Sequence, residues 1–190
     1  MTQKTARLIS RIGHPISLLL TFLVYFLFSI HTPLKAFWTL IIILSLGILP
    51  LIAWNLYHSR KGMYSNFDVS IRTQRSSMYR FILLLAVIVL AALWFSNQPS
   101  NVIIGSLVLI QLLLLAFFIN YKTKISLHVA IAVYTGFGLW EINREFSMVI
   151  WAVTPLIAWS RWYLGRHLAI ELFLGFVLGC LCGIEILYFI

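Results

Sequence analysis

The chain has 190 residues, of which 62% are hydrophobic and 10% charged, and its mean hydropathy is +0.98. A soluble domain is about 45–50% apolar and about 25% charged, so this composition excludes a soluble protein and points to one integral membrane domain over residues 1–190. The formal charge of +9 lies in short loops between apolar runs, so topology and anionic membrane lipid account for it and no nucleic-acid partner is expected.

The N-terminal MTQKTARLISRIGH places Lys4, Arg7 and Arg11 before an apolar run, as a signal peptide does. No small-residue cleavage site follows, so a retained first transmembrane helix is expected. A spanning helix needs about 20 mostly apolar residues. Seven candidates follow in order, at 15–31, 36–57, 81–96, 102–120, 126–141, 147–160 and 168–190. The third extends back into the 70s and the fifth starts inside KISLH. The expected fold is therefore all-α, a polytopic transmembrane bundle of about seven helices. Pro33, Pro99 and the polar EINRE mark turns, while Pro155 falls inside the sixth segment and is tolerated there. Gly175, Gly179 and Gly183 form a close-packing stripe on the last helix. It could join two copies as a homodimer, but packing within the chain is the expectation. Cys180 and Cys182 read as small apolar residues, with no metal-ligand set around them.

Seven spans put 12 of the 14 basic residues on one face. Lys35 and Arg144 alone fall on the other. The positive-inside rule makes the rich face cytoplasmic, in the cell's inner membrane. The same face collects the polar groups: Asp68, Arg72 and Arg75; Lys124, Ser126 and His128; Arg161, His167 and Glu171. In a helix His167 and Glu171 share one face, so the carboxylate can fix the imidazole tautomer and leave the other nitrogen as nucleophile or base. Arg161 lies six residues earlier, across a turn containing Gly165. A cation beside such a histidine suits a phosphoryl substrate. Ser126 can cap the fifth helix, whose first N–H groups offer an anion site.

The segment SRWYLGRHLAIE resembles the third signature of the type 2 phosphatidic acid phosphatase superfamily. Ser160, Arg161 and His167 match it, and Glu171 stands where Asp is expected. KISLH resembles the second signature at Ser126 and His128, with Ile125 for Pro and Leu127 for Gly. DVSIRTQRS resembles the first at Arg75, with Asp68 at the Lys position and Ser76 at the Pro position. The order of the three agrees with the family. The hairpin at 81–120, between the first two signatures, marks a seven-helix branch around a six-helix phosphatase-like core.

The resemblance implies an integral membrane lipid phosphatase that works through a phosphohistidine without metal or other cofactor. It implies His167 as nucleophile, Glu171 as its orienting carboxylate and His128 as general acid then base. Arg75, Arg161 and Ser126 would bind phosphoryl oxygens, while Lys124 or Arg72 replaces the missing lysine charge. Asp68 is expected to pair with Arg72 or Arg75. The implied substrates are isoprenoid diphosphates, phosphatidate or phosphatidylglycerol phosphate, and the sequence does not choose among them. A head-group phosphotransferase and a non-catalytic lipid-binding protein are the alternatives. The family's site often faces away from the cytosol, against the charge count here. His14, His31 and His58 read as interfacial, Asn55 and Gln111 as interhelical hydrogen-bond formers, and Trp and Tyr residues as membrane-interface belts.

Overall fold

The computed structural model describes residues 2–189, and among them all regular structure is helical. The elements are α1 (Gln3–Ile12), α2 (Pro15–Ile30), α3 (Pro33–Ile43), a π-helical turn (Leu44–Ile48), α4 (Leu49–Arg60), α5 (Arg72–Phe95), α6 (Ser100–Asn120), α7 (Leu127–Leu139), α8 (Arg144–Tyr163) and α9 (Ala169–Phe189). Each of the seven expected segments is a helix, α3 through α4 running on as one from Pro33 to Arg60. Among the described residues four helices are long and apolar enough to cross a membrane, or five if the bent pair α1–α2 counts as one span. The all-α bundle of about seven helical segments is thus as expected, with α7 short at 13 residues.

The chain divides into two compact units, Met1–His31 with Lys124–Ile190, and Thr32–Thr123. In the first unit, α7 packs against α2, α8 and α9. An uninterrupted run from His128 to Gly136 is buried, as expected of a helix that is apolar all round. The glycine stripe explains how α9 approaches so closely. A Cβ on Gly175 would lie 2.5 Å from the Ser126 carbonyl oxygen, and one on Gly179 would lie 2.7 Å from that of Ala130. At Gly183 it would meet the Phe137 ring at 2.2 Å. The stripe thus packs on α7 of the same chain, as the expectation of packing within the chain has it.

α1 was not anticipated as a helix. Its Ala6, Ser10 and the following Gly13 are buried, and α1 packs on α8, where a Cβ on Gly13 would meet Ile157 at 2.6 Å. Lys4, Arg7 and Arg11 remain exposed. The chain then bends by 43° into α2. His14, preceding Pro15, is held out of the helical region at φ −66° and ψ 139°. Its Nδ1 accepts the Ile16 N–H at 3.2 Å, so His14 is the N-cap of α2.

In the second unit, α5 pairs with α6 and also meets α3 and α4. Pro50 lacks an N–H and its ring would crowd the carbonyl of Leu46; the π-helical turn immediately before α4 absorbs that misfit without ending the helix. The following loop is pinned by Tyr64. Its hydroxyl accepts from Trp54 Nε1 at 3.0 Å and lies 2.8 Å from Ser77 Oγ, while Trp54 stacks on Phe81 at 4.1 Å.

Candidate active site

The end of α8 sets up the first half of the site. Gly165 has φ +63°, the left-handed conformation that closes a helix. It lets the Arg166 N–H donate to the Arg161 carbonyl at 2.9 Å and the Gly165 N–H to the Trp162 carbonyl at 2.9 Å, a Schellman pair. The His167 N–H also donates to the Arg161 carbonyl, at 3.3 Å. The turn therefore fixes the backbone of His167 against Arg161 before either side chain is considered.

Glu171 then acts at the third position of α9. Its Oε2 accepts the Leu168 N–H at 3.2 Å, the returning half of a capping box. The same oxygen lies 2.8 Å from His167 Nδ1 and 3.4 Å from Lys124 Nζ. When the carboxylate is ionised and the ring neutral, this contact puts the proton on Nδ1 and the lone pair on Nε2. The extra methylene relative to aspartate does not prevent the contact. Lys124 is steered from the other side by the Arg166 carbonyl, which accepts from Nζ at 2.7 Å. Both Glu171 and His167 are buried, the imidazole side chain fully so.

The backbone of Glu171 does separate work. Its carbonyl accepts the Ser126 N–H at 3.1 Å, tying the start of α7 to the first turn of α9. Ser126 is the N-cap of α7 by position, but its hydroxyl makes no capping bond. That corrects the expected cap: the residue is held through its N–H, and its fully buried Oγ has no hydrogen-bond partner among the described residues. His128 follows in the first turn of α7 and is buried. Its ring meets His14 edge-on, with centroids 5.2 Å apart. His14 is therefore a neighbour of a candidate catalytic histidine.

Arg161 is 1% exposed, and its Nη1 donates to Ser10 Oγ of α1 at 2.7 Å. The structure thus gathers Lys124, Ser126, His128, Arg161, His167 and Glu171 in the first unit, and adds Ser10 and His14. Neither addition carries a signal in spacing, because both depend on how α1 and α2 fold back on α7 and α8. Arg72 and Arg75 belong to the second unit. Arg75 Nε donates to the Val69 carbonyl at 2.8 Å. Arg72 Nη1 donates to the carbonyls of Asn120, at 3.2 Å, and Tyr121. Its charge lies at the C-terminus of α6, favourable for the helix dipole. No protein-family model, curated protein or solved structure matches the chain.

Proposed function

We propose that the protein is an integral membrane phosphatase of phosphorylated lipids, acting through a phosphohistidine on His167 without a metal ion. The observation that carries this reading is the buried Nδ1–Oε2 contact of 2.8 Å between His167 and Glu171. It leaves Nε2 as the nucleophilic nitrogen and stabilises the cation that develops on the ring when Nε2 attacks phosphorus. The resemblance of three segments to lipid phosphatase signatures supports the same assignment.

In the first step Nε2 forms a bond to phosphorus and the bond to the lipid oxygen breaks. Protonated His128 gives its proton to the departing oxygen. In the second step water attacks phosphorus, His128 takes the water proton, and the P–N bond breaks to return the lone pair to Nε2. Positioning and charge stabilisation dominate such transfers. Arg161, Lys124, Ser126 and the first N–H groups of α7 are the donors proposed for the phosphoryl oxygens. By the basic-residue count, the site faces the cytoplasm in the cell's inner membrane.

The test offers purified protein a panel of lipid phosphates and diphosphates in EDTA, beside His167→Ala. Phosphate release that disappears in the variant, with an acid-labile phosphoprotein trapped in the wild type, is the expected result. Head-group transfer without phosphate release would identify a phosphotransferase. No turnover of any lipid would sink both readings.

A further inference from the structure

Beside this cluster, α7, α8 and α9 leave an apolar cavity of about 410 Å³. Its walls include Val129 and Val133 of α7, Ala158 of α8, and Leu172, Phe176 and Cys180 of α9. The cavity starts where the polar site stops: Val129 follows His128, and Leu172 follows Glu171. From Leu172 to Cys180 the helix advances about 12 Å. The Thr154 hydroxyl on its wall is already committed, donating to the Ile150 carbonyl at 2.8 Å. The volume falls within the range of about 300–1,000 Å³ usual for a ligand pocket.

We propose that this cavity is a chain-binding subsite for the first carbons of the substrate's hydrocarbon tail. The inference rests on the phosphatase reading and deepens it by naming what the site measures in its substrate. A tail already in the bilayer gains little hydrophobic energy by moving into an apolar cavity, since lipid is as apolar as the lining. What it gains is position. A tail seated along α9 holds the phosphorus in line with His167 Nε2, and such orientation lowers the barrier. The cavity accommodates roughly ten extended carbons, at about 1.25 Å of advance per carbon. Carbons beyond that remain in lipid and go unread.

Two measurements test this. The first compares phosphate release from six-carbon and sixteen-carbon alkyl phosphates in detergent for wild type and Cys180→Trp, which fills the end of the cavity far from the site. The expected result is a loss of at least about tenfold in kcat/KM for the long chain and less than about twofold for the short one. The second needs no turnover. Cys180 lines the cavity while Cys182 is buried, so a small maleimide should report on Cys180, with Cys180→Ala as control. The sixteen-carbon phosphate should slow this alkylation in both wild type and His167→Ala, and the six-carbon phosphate should not. A long-chain rate unchanged by Cys180→Trp, or alkylation of Cys180 unchanged by the long-chain phosphate, overturns the subsite. Protection of Cys180 in a wild type that turns over no lipid would keep the subsite and overturn the phosphatase reading.

Discussion

One carboxylate oxygen, Oε2 of Glu171, serves His167 Nδ1, Lys124 Nζ and the Leu168 N–H together. Glu171→Gln would replace an acceptor-only group with an amide and weaken the preference for the Nδ1–H tautomer. Loss of the matching tautomer in a comparable triad costs about 10⁴-fold in kcat; here a loss of phosphate release on the order of 10²-fold or more is expected. Glu171→Asp keeps the charge and should stay within about tenfold of wild type. Equal rates for the Gln variant and wild type would remove Glu171 from the mechanism. The His167–Glu171 pair was legible from its four-residue separation, although the helix expected to carry both begins only at Ala169, so His167 precedes it and the contact runs through the capping turn. Lys124 beside Glu171, Ser10 beneath Arg161 and His14 against His128 were not, because each contact joins segments far apart in sequence. Ser126 shows the converse: its type favours a helix cap, yet its hydroxyl does not cap α7 while its N–H is bound by the Glu171 carbonyl.

At the scale of elements, the glycine stripe decides how closely α9 lies on α7. Gly179→Ala would put a methyl group 2.7 Å from the Ala130 carbonyl oxygen, an atom of the backbone that cannot turn aside. The expected cost is about 1–3 kcal/mol, read as a lower Tm of the detergent-solubilised protein. Gly175→Ala should behave alike and also lower activity, since its obstacle is the Ser126 carbonyl beside the site. An unchanged Tm in both variants would refute the tight α7–α9 contact. Helix positions were largely legible because apolar runs and Pro or polar turns bracket them. α1 escaped notice because its ten residues carry three basic groups and its inward face is made of small residues, Ala6 and Ser10, rather than large apolar ones. The π-helical turn was equally hidden: the segment 36–57 reads as one apolar run, and the run does not tell that the misfit of Pro50 is taken up by a π-helical turn.

For the whole molecule, the exposed positives of α1 and the basic loops predict which side meets the cytoplasm. Met63 lies exposed in the loop after α4, so Met63→Cys is a usable reporter. In a variant also lacking Cys180 and Cys182, an impermeant maleimide should label it only after the membrane is permeabilised. Labelling in intact cells would reverse the orientation. The division into units has a further consequence, in the order of synthesis. The second unit is one unbroken stretch, Thr32–Thr123, whereas the first takes its α1 and α2 from before that stretch and its α7, α8 and α9 from after it. On a ribosome the second unit can close while the first still waits for its partners. Until α9 emerges, the α7 residues that face the glycine stripe lack that stripe against them and Glu171 does not yet exist to hold Ser126. The candidate chemistry therefore comes into being with α9, and a nascent chain stopped before it carries the basic loops but no site.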